Sequence, residues 1–291
     1  MDDWRVVYES RNRRGCSDRA LVLASAQIAY EIIDDGMSCA LVVPAADSAR
    51  AAEELRLYDD ENPLVKPKRR KRVVYQDALP GLIGYVLVVC AVTGMAGYSF
   101  FGGDWLAAGR VDGVLIRSGE WWRTITALTL HADVQHLLGN LVFGVFFGIF
   151  AGRLLGSGVA WLTILVAAAL GNTANTLLLE STHRSIGAST AVFATLGLLA
   201  GYVWRGQLMA QDRWSTRLGP IIGGLALLMF TGTGDENTDI GAHLMGFVCG
   251  FAAGMILTLV GKMPAGPRTQ RIAGGTALGL VALAWFVALR V

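Results

Sequence analysis

A chain of 291 residues in which 53% are hydrophobic and only 16% are charged falls well below the roughly one-quarter charge content of soluble domains, which argues against a water-soluble globule. The balance of 25 Lys and Arg against 23 Asp and Glu leaves a net charge of only +2, too small an excess to point to nucleic acid, so no nucleic-acid partner is expected. The 36 glycines suit membrane helices, where small residues let backbones approach closely. Cys16, Cys39, Cys90 and Cys249 are too scattered for a metal-ligand pattern and are read as reduced packing residues; no metal site or disulfide is expected.

The polar opening Met1-Asp2-Asp3-Trp4 predicts no cleaved signal peptide. Residues 1–64 read as a small α/β domain of order βαββα. Its first strand is Trp4–Glu9, and Ser17 is the expected cap of a helix from Asp18 to about Tyr30 with Ala20, Leu21, Ala24 and Ile28 on its apolar face. Asp34-Asp35-Gly36 predicts a turn between strands at 31–33 and 38–43. A second helix begins at Ala45-Ala46-Asp47-Ser48 and ends near Tyr58. At this size such a domain is marginal but feasible, and an unidentified ligand or protein is its expected partner.

Residues 65–77 form a basic linker with Lys66, Lys68, Arg69, Arg70, Lys71 and Arg72. Seven apolar stretches follow, about 78–101, 134–152, 157–179, 186–204, 218–234, 240–261 and 272–290, each near the roughly 20 residues that cross hydrocarbon. The fold expected is therefore an all-α polytopic membrane protein with a small α/β domain at its N-terminus. The linker, Arg153, Arg205, Arg213, Arg217, Lys262, Arg268 and Arg271 fall on one side of these spans, which predicts that side, and the N-terminal domain, to be cytoplasmic. Arg110, Arg117 and Arg123 in the long 102–133 loop are a partial exception. Anionic-lipid attraction is a by-product of the basic linker.

Polar residues inside such spans are costly and tend to face a protein interior or a watery cavity. Ser189, His243, His136 and Asn140 stand at the heads of three different spans, all toward the non-cytoplasmic side. Phe193, Gly197 and Gly201 share a helical face with Ser189, while Gly246, Gly250 and Gly254 share one with His243. Pairing these small-residue ridges would bring the hydroxyl near the imidazole, with Phe193 stacked on the histidine ring. A serine hydroxyl needs a base to become nucleophilic, and histidine suits that task. The His136 and Asn140 side chains and the Ser189 backbone N–H are the expected oxyanion donors. No acidic residue lies within a span near these groups, so a Ser–His dyad without an Asp is expected. His131, Trp122 and Arg123 read as organisers of the long loop, with the Trp–Arg pair at the membrane interface and its guanidinium in water. His183 reads as solvated, and Asn172 and Asn175 as bonding to neighbouring helices.

In order, Gly119-Glu120-Trp121-Trp122-Arg123, His131, His136-Leu-Leu-Gly-Asn140, Gly187-Ala-Ser189 and Ala242-His243-Leu-Met-Gly246-Phe-Val-Cys-Gly250 resemble the rhomboid intramembrane serine proteases from about residue 78 to 261. The resemblance implies a six-helix catalytic core at 78–261, an additional C-terminal transmembrane helix within 262–291, no cofactor, and cleavage of transmembrane protein substrates in a lipid bilayer. It also implies Ser189 as nucleophile, His243 as base and His136 with Asn140 in the oxyanion hole, supported by Gly187, Phe193 and Gly246. Two departures stand out: Thr190 replaces a usual glycine beside the nucleophile, and Gly152 stands where a bracing glutamate is frequent. The prokaryotic plasma membrane is the expected location. The alternative is a catalytically silent rhomboid-like protein that binds transmembrane clients. A transporter is disfavoured because no internal repeat is present, and no H-E-x-x-H or paired-aspartate motif points to a metal-dependent membrane protease.

Overall fold

The computed structural model describes residues 3–62, 75–178, 183–206, 222–223, 239–260 and 265–291, and the chain divides into two compact units, Met1–Arg69 and Arg70–Val291. In the first unit, strand β1 (Trp4–Ser10) is followed by helix α1 (Arg13–Ser25), strands β2 (Glu31–Asp34) and β3 (Cys39–Pro44), and helix α2 (Ser48–Glu61). The sheet is antiparallel in the order β1-β3-β2, with Trp4 opposite Pro44 and Glu31 opposite Val42. Alternation on β3 sends Cys39, Leu41 and Val43 toward Cys16, Ala20 and Leu23 of α1 and Ala51 and Leu55 of α2, where all are buried.

Helix α1 departs from expectation at both ends. Asn12, not Ser17, is the cap, its side chain accepting from Arg14 N at 3.1 Å; Ser17 instead donates its hydroxyl to the Arg13 carbonyl within the helix. The helix stops at Ser25 because Gln27 turns left-handed at φ 56°. Gln27 N then donates to Ala24 O and Ile28 N to Leu23 O, a double closure that buries Ile28 against Leu23. The Asp34-Asp35-Gly36 turn is held by Asp35 Oδ1, which accepts from Met37 N and Ser38 N, with Gly36 at φ 82°.

In the second unit, five helices among the described residues are long and apolar enough to cross a membrane: α3 (Leu79–Gly97), α7 (Val134–Leu155), α8 (Ser157–Leu178), α10 (Ile240–Leu257) and α11 (Pro267–Ala288). Helix α9 (Ser189–Gly206) stands among them. The stretch expected at 218–234 lies outside the described residues apart from 222–223. The last helix begins at Pro267, five residues before the apolar pattern starts, because Pro at its first turn needs no hydrogen-bonded N–H.

The segment between α3 and α7 is folded. It contains α4 (Trp105–Gly109), β4 (Val111–Asp112), α5 (Gly113–Arg117) and α6 (Arg123–Thr126), and β4 pairs with β5 (Arg184–Ser185). Arg123 is buried rather than in water, contrary to the interfacial reading. Its guanidinium pairs with Glu120 at 2.6 Å and donates to the carbonyls of Ala107 at 2.8 Å and Arg110 at 3.1 Å, which replaces the hydration it loses. Trp285 of α11 reaches this segment, packing on Trp105 at 4.7 Å between ring centroids and donating its indole N–H to Thr129 Oγ1 at 3.0 Å.

Two close approaches set the helix arrangement. The one-residue turn from α7 to α8 is Gly156 at φ 85°, and Gln270 of α11 plugs it, accepting from Val159 N and donating to Leu155 O. These are end groups that the helices cannot satisfy themselves. Helices α9 and α10 meet backbone to backbone, so both small-residue ridges are in contact. A Cβ at Gly197 would lie 2.1 Å from the Phe247 carbonyl oxygen, one at Gly250 2.0 Å from that of Ala194, and one at Gly254 2.3 Å from that of Leu198. Gly152 similarly admits Ala78 of the segment before α3, at 2.8 Å from its would-be Cβ, which accounts for a residue without a side chain at that position.

Gly250→Leu is expected to lower stability by at least about 1–3 kcal/mol, the usual cost of overpacking, since its neighbour is backbone that cannot yield. Gly84→Ala, whose Cβ would meet nothing within 4 Å, is expected to be neutral or slightly stabilising. Thermal melting in detergent checks both.

Candidate active site

Ser189 opens α9, and Gly187 prepares its approach. Gly187 sits at φ 128°, a region closed to residues with a Cβ, and a Cβ there would lie 2.7 Å from His136 Cε1 and Nε2 and 3.6 Å from Ser189 Oγ. The His136 ring and the serine hydroxyl therefore flank the same point. The segment is anchored by Gly187 N donating to Ala127 O at 2.9 Å and Ala188 N donating to His131 Nε2 at 3.4 Å. Because His131 Nε2 accepts, its Nδ1 carries the proton and donates to Thr93 Oγ1 at 3.2 Å. His131 thus braces the serine loop against α3, beyond the loop-organising role the sequence suggested.

His243 lies in the first turn of α10 and is buried, its ring stacked on Phe193 with centroids 4.6 Å apart and planes 24° apart. Its Nδ1 has no hydrogen-bond partner among the described residues, so stacking, not a carboxylate, orients the ring. No hydrogen bond joins Ser189 to His243 among these residues. Thr190 faces Gly246: a Cβ at Gly246 would lie 2.5 Å from Thr190 O and 3.0 Å from its Cγ2. The threonine methyl thus fills the space that Gly246 leaves open, and Thr190 is buried.

His136 and Asn140 share a face of α7, as their spacing requires. Asp133 caps that helix by accepting from His136 N at 2.7 Å, and the His136 ring stands edge-on to His131 at 5.1 Å. The Asn140 side-chain amide is turned back on its own helix, donating to His136 O at 3.0 Å, while Tyr85 donates its hydroxyl to the Asn140 backbone carbonyl at 2.8 Å.

His183 is not solvated, contrary to expectation. Its Nε2 meets Asp239 Oδ2 at 2.6 Å, and Asn175 Nδ2 donates to both Asp239 oxygens at 3.0 and 3.1 Å. Asp239 also caps α10 by accepting from Ala242 N at 2.9 Å. Burial alone would raise the Asp239 carboxyl, but the Ala242 N–H and the neighbouring His183 outweigh it and hold it below its ordinary value. An Asp just before an apolar run was legible as a helix cap; its partners, 56 and 64 residues away, were not. Asn172 donates to Thr124 O at 2.9 Å, tying α8 to α6.

Residues 118–259 match the family model described as the Rhomboid domain. A Bacillus subtilis (strain 168) protein, YdcA, whose name assigns it to the rhomboid proteases, is 31% identical over 137 residues, covering 47% of this chain and 67% of its own. The chain belongs to the rhomboid family. Rhomboid protease GluP of the same bacterium is 32% identical over 53% of this chain and 29% of its own, and Rhomboid-like protease 1 of Toxoplasma gondii is 30% identical over 49% of each. The chain thus spans under a third of GluP and about half of the Toxoplasma protein. With its apolar helices, this rhomboid is an integral, multi-pass membrane protein.

The serine loop of this rhomboid is also held through β5. Asp112 is nearly buried; burial alone would raise its carboxyl, but the N–H groups of Leu115 and Val114 and the Arg184 guanidinium outweigh that and lower it. A carboxyl lowered on folding stabilises above its unfolded value of 3.8 and loses that contribution as pH falls through the folded value. The melting temperature of Asp112→Asn is therefore expected to lie below that of the wild type above about pH 5, with the gap closing on further acidification. Melting curves across acid pH check this.

Proposed function

We propose that this rhomboid is an intramembrane serine endopeptidase that cleaves transmembrane segments of other membrane proteins with a Ser189–His243 dyad. The observation that carries the reading is the convergence at one point. Ser189 Oγ and the His136 ring flank Gly187, and the helix bearing His243 is seated glycine by glycine on the helix bearing Ser189, with the His243 ring on Phe193. Relatives named as proteases support the same reading.

In the proposed reaction, His243 takes the Ser189 proton as Oγ bonds to the scissile carbonyl carbon. The carbonyl electrons move onto oxygen, where the His136 side chain, the Asn140 amide and the Ser189 N–H receive them. Asn140 leaves its bond to His136 O to do so. Collapse of the intermediate breaks the C–N bond as His243 returns the proton to the leaving amine, and water repeats the sequence to release the acyl group. Substrate helices must unwind locally, because a helical peptide bond is hydrogen-bonded and shielded, so small or glycine-rich segments near the bond are favoured.

The proposed organisation is an α/β domain at 1–64, a basic linker at 65–77, a six-helix catalytic core at 78–261 and an added C-terminal helix in 262–291. The proposed setting is a prokaryotic plasma membrane with the N-terminal domain cytoplasmic. A second reading, a silent client-binding relative, is favoured by one observation: Ser189 and His243 are not hydrogen-bonded to each other among the described residues.

Cleavage of a model transmembrane substrate in proteoliposomes, with fluorophosphonate labelling of Ser189, separates the two. We expect the wild type to cut and label, Ser189→Ala and His243→Ala to lose about 1,000-fold or more, and Asn140→Ala to lose about 100-fold in kcat. A wild type that folds but neither cuts nor labels is the result predicted by client binding.

A further inference from the structure

Glycine ridges set how closely two helices pack, but a smooth ridge offers little resistance to sliding along its length. Ser189 and His243 sit on helices joined by such ridges; Thr190 against Gly246 and Phe193 under the His243 ring fit the first turns together, and a further restraint would tie α10 to the surrounding segments as well. The Asp239 carboxylate supplies the geometry for one. It lies four residues before His243, and its backbone carbonyl accepts from His243 N at 3.1 Å. Its side chain, only 11% exposed, receives Ala242 N, Asn175 Nδ2 and His183 Nε2. These come from three places: α10 itself, α8, and the segment that leads through β5 into Ser189, six residues after His183.

Capping alone does not explain this arrangement. A cap needs one oxygen and one N–H, which Asp239 Oδ1 and Ala242 N already provide. Yet Asn175 contacts both oxygens, and His183 takes the second at 2.6 Å. Space has also been left for the clasp: a Cβ at Gly241 would lie 2.3 Å from Asn175 Oδ1, so only glycine at 241 lets the Asn175 amide reach the carboxylate. The segment bearing His183 is itself held, since the His183 carbonyl accepts from Gly113 N at 3.0 Å.

We propose that Asp239 is a positioning residue, which with Asn175 and His183 clasps the start of α10 to α8 and to the serine segment, and so sets where the His243 ring stands relative to Ser189. The clasp never touches substrate. It acts through the first turn of α10, and it rests on the dyad reading above. Loosening it moves the imidazole away from the hydroxyl, and a displacement of about 1 Å costs about 100-fold in rate.

The test compares the wild type with Asp239→Ser, Asn175→Ala and His183→Ala in proteoliposomes. Its readouts are kcat, KM, the rate of fluorophosphonate labelling of Ser189, and melting temperature. Serine at 239 still caps the helix but is too short to hold both partners, while the other two variants leave the Asp239 cap untouched. The expected result is a fall of about 10- to 100-fold in kcat and in labelling rate for all three variants, with KM close to that of the wild type and a cooperative melt retained. Wild-type kcat and labelling in Asp239→Ser would show a cap and no more, and would overturn the proposal while leaving the dyad standing. So would losses that appear only in KM. If Asp239→Ser fails to fold, the Asn175→Ala and His183→Ala pair decides: unchanged labelling in both overturns the proposal, and a shared loss upholds it. A folded wild type that never labels at Ser189 sinks the dyad reading, and the clasp with it.

Discussion

The backbone-to-backbone contact of α9 and α10 is the constraint on which the rest of this molecule depends. Lipid tails are as apolar as leucine, so apolar side chains gain little by leaving lipid for one another, and membrane helices associate through close packing and hydrogen bonds instead. Carbonyl oxygens of one helix occupy the places where Cβ atoms of the other would stand, at Gly197, Gly250 and Gly254. Only with those atoms missing do the first turns come side by side, with Thr190 against Gly246 and Phe193 under the His243 ring.

A second requirement follows from the apolar setting. Polar groups that enter are stabilised by partners inside the protein, because none is offered by hydrocarbon. The segment between α3 and α7 answers this with Arg123, whose guanidinium gathers Glu120 and two carbonyls, and with Thr126, which donates to Gly109 O at 2.7 Å. Gln270 does the same for the turn between α7 and α8, and Trp285 for Thr129. Both lie on α11, so the last helix is joined to this unit by polar plugs as well as by packing. Held this way, the segment around Ala127 gives Gly187 a fixed carbonyl to bond, and the serine loop inherits its rigidity.

Much of the local order could be read from the chain. Asp34-Asp35-Gly36 reads as a turn because Asp side chains bond N–H groups two and three residues on and glycine accepts positive φ. The apolar stretches read as helices by length, and the ridges by their fourfold spacing. The ends of α1 are not legible locally, because two good caps, Asn12 and Ser17, stand five residues apart and the left-handed turn falls on Gln27, a residue type that rarely takes it. His183 looked solvated for want of a visible partner, since Asp239 stands 56 residues further on. Arg123 looked interfacial because the carbonyls that receive it belong to α4 and its following residue, whose fold the sequence does not announce.

Composition and spacing alone therefore determined that the chain is a membrane protein of apolar helices, which faces of two of them are smooth, and which few polar residues stand at their heads. These are properties of single segments, decided by periodicity and by the cost of polarity in lipid. Phe193 beneath His243 follows from the ridge spacing, but the tertiary structure alone decided other partners: His131 on the Ala188 amide, and Asp239 between Asn175 and His183. Each such pairing joins segments tens of residues apart. No local pattern encodes it, because its geometry exists only once the glycine-lined helices have closed on one another.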